Sequence, residues 1–279
     1  METITPTEQE VLAKSKEGRV SDIFWKRIMP LLGILIFLGI WEASVRYFEL
    51  PSYLLPPPTE ILLTMIEQFD NILEHSWVTA YEMLLGYLLA IIVGVPLAIA
   101  ITAFPTFDRF ITPILLFFQT TPKIALAPLF LVWFGVGILP KVLVAFLISF
   151  FPIVIDTAVG LRSISPDMVD LARSMGATDR QIFIRFRLPT SLPYLFSGLK
   201  VAATLAVVGA VVGEFVGADK GLGYLLLVAN SNLWTALMFG TIVALTLQGL
   251  ILFYIIQMLE NLLIPWHISV RSGQEYGTM

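Results

Sequence analysis

The side chains able to do chemistry in this chain fall into three places. The first is the stretch DLARSMGATDRQIFIRFRLP, residues 170–189, which sets four arginines and two aspartates between two long apolar runs. The second is Gln119-Thr120-Thr121-Pro122-Lys123, a polar break inside an apolar run. A cation at mid-bilayer depth costs roughly 2.5–3.5 kcal/mol on insertion scales, so Lys123 is expected to face water or protein. The third is Glu214, just before the glycine-rich GADKGLG of residues 217–223. None of these reads as a catalytic centre. The chain has no cysteine, which removes disulfides, thiolate nucleophiles and thiolate metal ligands. Its two histidines, His75 and His267, lie outside the apolar runs, so no histidine stands within a span as a base or a haem ligand. H-E-x-x-H, paired aspartates and the phosphate loop G-x-x-x-x-G-K-[ST] are absent, and residues 217–223 read as a turn. No catalytic residue, metal ligand or resident cofactor is therefore expected.

The elements that must position these groups are membrane helices. Only 14% of the residues are charged and the mean hydropathy is +0.84, whereas about a quarter of a soluble domain is charged. Six stretches are long enough for the roughly 20 residues a bilayer core requires. They are 29–47, 81–103, 110–134, 142–161, 193–215 and 237–263. With the N-terminus inside, the inner segments carry 12 basic residues. These are Lys14, Lys16, Arg19, Lys26 and Arg27, then Arg109, five arginines in 161–192, and Arg271. The outer segments carry 3, namely Arg46, Lys141 and Lys220. That asymmetry places both termini in the cytoplasm. The expected organisation is a cytoplasmic segment 1–28, a transmembrane domain 29–266 interrupted by a cytoplasmic hairpin 161–192, and a cytoplasmic tail 267–279.

The first outer loop is acidic and begins LPSYLLPPPTEI, which the prolines hold extended. Thr59 is expected to cap a short helix carrying Ile61, Leu62, Met65, Ile66 and Phe69, either lying on the outer surface or packed on the bundle. The third span holds Pro113, Pro122 and Pro128, each of which interrupts helical hydrogen bonding. Broken helices at membrane depth occur where they line a cavity or pack in protein. This points to a pathway or gate at Gln119, Thr120, Thr121 and Lys123. The structural alternative is a kink whose lysine pairs with a neighbouring acid. Glu214 is read either as a functional residue, gating the pathway, paired with Lys123 or meeting an outer partner protein, or as an interfacial acid in contact with water. Lys200 is close enough to the inner surface to snorkel, and Gln248 and Asn261 suit interhelical hydrogen bonds.

Residues 165–189 carry the densest local signals. Ser165-Pro166 is a helix start, and Met168, Leu171, Ala172 and Met175 recur as one apolar stripe. Gly176 stops the helix, Thr178 and Gln181 form a capping box for a second one, and Pro189 is expected to end that helix before the fifth span. Orientation alone would need only scattered cations. Two capped amphipathic helices must bury their stripes on a bundle, a bilayer surface or another protein.

The spacing of this hairpin resembles the EAA loop of permease subunits of ABC importers, E-A-A-x3-G-x9-I-x-L-P. Ala172, Gly176, Leu188 and Pro189 match, while Asp170, Leu171 and Phe186 replace Glu, Ala and Ile. Further stretches, Ile40-Trp41-Glu42, Leu55 to Ile61, and Pro128-Leu129-Phe130 with Trp133-Phe134-Gly135, are similar to the nitrate/sulfonate/taurine branch. Thr121 to Pro128 also resembles members proposed to carry pyrimidine precursors or aromatic acids. The resemblance implies an all-α type I importer permease fold with six transmembrane helices in a bacterial inner membrane. It implies a homodimer of permeases, two ATPase subunits that bind ATP and Mg, and an extracytoplasmic substrate-binding protein. No nucleic-acid partner is expected. Asp170, Ala172, Arg173, Gly176, Ala177 and Arg180 would then meet the ATPase, with the three charged residues available to pair across that contact. A secondary carrier is the alternative, since a broken helix with a buried cation suits it too, but a carrier needs no ATPase-docking hairpin. An intramembrane serine protease is disfavoured, because Leu195 precedes Phe196-Ser197-Gly198 where such an enzyme requires glycine.

Overall fold

The structure is a computed structural model describing residues 28–266. The five N-terminal cations, His267 and Arg271 lie outside the described residues, as do nearly all of segment 1–28 and the whole tail 267–279. Among the described residues, five helices are long and apolar enough to cross a bilayer. A sixth crossing is reached if two shorter helices meeting at 88° count as one span.

Helix α1 (Ile28–Tyr47) leads through the proline stretch to α2 (Pro58–Glu67). Thr59 is not the cap. Pro57 holds that place, and Pro58 takes the first helical position, where a missing N–H is harmless. The cap comes from another helix: Glu42 of α1 accepts the Thr59 N–H at 3.1 Å and the Thr59 hydroxyl at 2.9 Å. Ile61 turns inward and is buried, whereas Leu62, Ile66 and Phe69 stay exposed. Helix α2 thus packs on the bundle with one face and leaves the other open.

Helix α3 (Phe69–Ala103) starts more than three turns before the expected span and runs straight into it. Helix α4 (Pro105–Thr120) stops at Thr121-Pro122, a 3₁₀ turn covers Lys123–Leu126, and α5 (Ala127–Phe134) leaves at the sharp angle. Helix α6 (Ile138–Arg162) runs back to the hairpin, formed by α7 (Pro166–Ser174) and α8 (Asp179–Ile182). Pro189 does not terminate the second hairpin helix. A π-helical turn over Phe183–Arg187 carries the chain into α9 (Leu188–Gly217) without a stop. Pro189 lacks an N–H and its ring crowds the carbonyl four residues back. The wider turn just before it relieves that crowding. A tight turn then gives α10 (Leu222–Ser231), and α11 (Thr235–Leu263) closes the bundle.

The core is a three-helix layer with α6 in the middle, between α3 and α9. Ala145 of α6 is fully buried at its centre. A Cβ on Gly86 of α3 would stand 2.5 Å from the Ala145 Cβ, and one on Gly209 of α9 would stand 2.5 Å from the Ala145 Cα. Only glycine at these two positions lets the three backbones approach so closely. In lipid, where apolar burial alone does not drive helices together, such packing is the main source of association. Tyr87, Ile153, Val154, Ala202 and Ala206 continue this core. Polar ties then fix the outer helices. The Gln248 amide donates to the Ser76 carbonyl at 2.7 Å, joining α11 to α3. Lys200 does not snorkel: it donates to Glu260 at 2.7 Å and Gln257 at 3.1 Å, joining α9 to α11. Asn261 bonds within its own helix, accepting from Gln257 at 3.2 Å.

Candidate functional site

The hairpin is built as a small folded unit. Ser165 accepts the Met168 N–H at 3.4 Å, which starts α7. Gly176 ends it with φ +83°, a left-handed conformation that glycine adopts without strain. The Ala177 N–H returns to the Ala172 carbonyl at 3.0 Å and the Gly176 N–H to the Arg173 carbonyl at 2.9 Å. Together these bonds satisfy the last carbonyls of the helix. Thr178 and Gln181 then cap α8 reciprocally: the Thr178 N–H donates to the Gln181 side chain at 2.8 Å, and the Gln181 N–H donates to the Thr178 hydroxyl at 3.3 Å. Val169, Ala172 and Ile182 are buried, with Ile164, Ala177 and Phe186 packed around them.

That core takes a different face from the expected stripe. Met168, Leu171 and Met175 are exposed, Met175 at 80% of its surface. They form an apolar crest beside Gly176, where an added Cβ would meet nothing within 4 Å. Of the residues assigned to the ATPase contact, Ala172 is buried and Ala177 half-buried, while Asp170, Arg173, Gly176 and Arg180 are exposed. Arg173 is already paired inside the hairpin, with Asp179 at 3.1 Å.

The break between α4 and α5 keeps its polar residues together. Gln119 and Thr120 are exposed; Thr121 and Lys123 are half-buried. The Lys123 ammonium donates to the Gln119 carbonyl at 2.9 Å and lies 4.6 Å from the centre of the Phe151 ring in α6. It therefore caps the free end of α4, where a cation is favoured, and takes a cation–π contact from the core helix. Its partner is a carbonyl and a ring, not an acid. Glu214 is not nearby in bonding terms, because its own partners are Thr79 and Gly223.

Glu214 belongs to a buried polar cluster at the α10 end of the bundle, and it is not an interfacial acid in contact with water. One turn from Ala145, Lys141 bonds Glu82 of α3 at 2.6 Å, with side-chain exposures of 6% and 0%. Beside this pair, Glu214 accepts the Thr79 hydroxyl at 2.6 Å and the Gly223 N–H. Thr79 in turn accepts the Leu222 N–H at 2.7 Å, and His75 Nδ1 accepts the Gly221 N–H at 2.9 Å. These three consecutive amides open α10, and helix-opening amides have no partner within their own helix. Side chains of α3 and α9 supply the acceptors. Lys220 adds an exposed pair with Glu74 at 2.8 Å. Sequence reasoning counted Lys141 as a loop charge and passed over Glu82 and Thr79. The available signal was one acid and one base, each near the start of an apolar run.

Residues 86–266 match the family described as binding-protein-dependent transport system inner membrane component. The formylaminopyrimidine transport permease protein ThiX of Halalkalibacterium halodurans is 38% identical over 243 residues, covering 87% of this chain and 97% of the relative. The riboflavin transport system permease protein RibX of Chloroflexus aurantiacus is 35% identical over 246 residues, 86% of this chain and 92% of the relative. The putative aliphatic sulfonates transport permease protein SsuC of Bacillus subtilis is 28% identical over 275 residues, 97% of each chain. In fold the chain is similar to a subunit in inward-facing conformations of the MetNI methionine ABC transporter. The TM-score is 0.59 at 21% identity, covering 71% of this chain and 97% of that one.

Proposed function

The chain belongs to the family of binding-protein-dependent transport system inner membrane components, and from that premise we propose that it is the permease subunit of an ATP-driven importer. Two copies form the pathway across the inner membrane. Two ATPase subunits, which bind ATP and Mg, sit beneath the hairpins, and an extracytoplasmic binding protein delivers the solute. The observation that carries this reading is the hairpin. It has its own core of Val169, Ala172 and Ile182, yet it leaves Met168, Leu171 and Met175 exposed around Gly176. An apolar crest on a capped, rigid support suits insertion into a groove of a partner protein. Asp170 and Arg180 stand free at its edge to set register, and Arg173, held by Asp179, stiffens the support. Rim charges of this kind add little affinity and more specificity.

In this reading both termini and the hairpin are cytoplasmic, as the distribution of basic residues supports. The permease domain spans 29–266, with the hairpin at 161–192. Segments 1–28 and 267–279 flank it on the cytoplasmic side. Gln119, Thr120, Thr121 and Lys123 at the α4–α5 break contribute to the pathway, where Lys123 both caps α4 and presents a cation. The cargo is a small solute at the nitrogen-heterocycle end of the range that runs to sulfonates and taurine. Relatives at 38% and 35% identity are named for formylaminopyrimidine and riboflavin, against 28% and 25% for sulfonate and taurine permeases. The test is uptake in vesicles carrying the full complex. ATP-dependent accumulation of a pyrimidine, competed poorly by taurine, is expected; uptake independent of ATP would overturn the importer reading.

A further inference from the structure

The cluster at the α10 end holds more negative charge than its partners neutralise. Glu82 and Glu214 are both buried, and Lys141 bonds Glu82 alone. Glu82 uses one oxygen on Lys141, and its second oxygen, Oε2, is buried with no hydrogen-bond partner among the described residues. Glu214 stands beside Glu82, because it accepts the hydroxyl of Thr79, which lies one helical turn before Glu82 on the same face of α3. A buried carboxylate oxygen without a donor is costly, and two neighbouring carboxylates cannot both stay ionised beside a single cation at this depth. One proton resolves both problems.

We propose that Glu214 is a neutral carboxylic acid that donates its proton to Glu82 Oε2, and that this shared proton fastens the α9–α10 turn to α3 and α6. Glu82 then stays ionised and satisfies Lys141. Each Glu214 oxygen keeps a lone pair, one for the Thr79 hydroxyl and one for the Gly223 N–H. The turn is gripped through three successive amides, Gly221, Leu222 and Gly223, bound by His75, Thr79 and Glu214. The packing leaves no slack, since a Cβ on Gly223 would stand 2.7 Å from Glu214 Oε2. Other titratable groups face the cluster from each element around it. They are Glu74 and His75 on α3, Asp219 and Lys220 in the turn, and Tyr224 on α10. Of these, Lys220 is neutralised by Glu74 at the exposed edge. Loss of the shared proton to bulk water would leave two carboxylates against Lys141 and loosen the start of α10.

Infrared spectroscopy of the full chain in lipid nanodiscs, made with isotope-labelled glutamate, tests the proton. At neutral pH the wild type is expected to show the carbonyl band of a protonated glutamic acid. Both Glu214→Gln and Glu82→Gln should lose it, because one proton is shared only between two carboxyls. Absence of the band from labelled wild type overturns the proposal even if neither variant folds. Persistence of the band in Glu82→Gln overturns the sharing, since Glu214 would then be neutral by burial alone. Hydrogen exchange tests the fastening. Glu214→Gln keeps a donor for Glu82 and an acceptor for Gly223, so the amides of 221–223 should stay protected. Glu214→Ala should exchange there about tenfold faster, the fold-change of one lost net hydrogen bond. Equal protection in the two variants would refute the fastening.

Discussion

Gly176 offers a perturbation whose structural cost can be separated from its effect on a partner. Its φ of +83° is left-handed, and a Cβ placed there would touch nothing within 4 Å. Any substitution therefore carries only the backbone term, about 1–2 kcal/mol for an ordinary L residue and less for asparagine, which tolerates this conformation. That cost stays within the hairpin and is small beside the roughly 5–15 kcal/mol that holds a domain folded. Ala, Asn and Trp at position 176 should accordingly unfold within a few degrees of one another. Their effects on transport should diverge. If a partner closes on the crest of Met168, Leu171 and Met175, the indole of Gly176→Trp has no room in the assembled complex, although it has ample room in the isolated chain. The assay is ATP hydrolysis and solute uptake by the reconstituted complex, read beside thermal unfolding of each variant. Gly176→Asn should transport close to wild type, Gly176→Ala should lose no more than about tenfold, the rate equivalent of 1.4 kcal/mol, and Gly176→Trp should abolish coupled uptake. Uptake by Gly176→Trp equal to that of Gly176→Ala would refute the reasoning, because it would mean nothing docks against that surface.

Other consequences follow from the same contacts. Lys141→Ala strands Glu82 without its cation in a fully buried site and should destabilise the chain by about 3–5 kcal/mol; the double variant Glu82→Leu/Lys141→Met should recover most of this in denaturation in detergent. Equal stability of Lys141→Ala and wild type would contradict the pair's structural role. Thr178→Ala removes the reciprocal cap of α8 and should cost about 1 kcal/mol locally, seen as faster hydrogen exchange over residues 178–182 with the spans unchanged. Lys123→Ala leaves the Gln119 carbonyl without its cation and should alter substrate-stimulated ATP hydrolysis in vesicles. Wild-type stimulation and uptake in that variant would assign Lys123 to the helix cap alone.

What could be read from the sequence was whatever a short window specifies. The hairpin caps, the Gly176 stop and the break at Pro122 each rest on residues at most four apart, and all four appear in the structure where local rules place them. The buried polar cluster rests on contacts that no window contains. Lys141 and Glu82 lie 59 positions apart, and Thr79 and Glu214 lie 135 apart. Charge counting assigned Lys141 to a loop because it stands at the edge of an apolar run, where only the neighbouring helix decides whether it is buried. Pro189 shows the opposite failure. The local rule says stop, yet the π-helical turn over Phe183–Arg187 absorbs the proline and joins hairpin to span as one rod. The hairpin stripe was found by its period, but which apolar residues are buried was set by α8. Ile182 draws Val169 and Ala172 inward and leaves Met168, Leu171 and Met175 outside.

If this crest inserts into an ATPase subunit, its side chains lie within cross-linking distance of that subunit. The chain has no cysteine, so Met175→Cys gives a single thiol at an exposed position of the crest. Cross-linking in native membranes with a short thiol–amine reagent measures the contact directly. One adduct is expected, with the mass of this chain plus an ATPase subunit and a yield that changes when ATP is added. An unshifted chain, in membranes where the ATPase subunit is present and active, would contradict it.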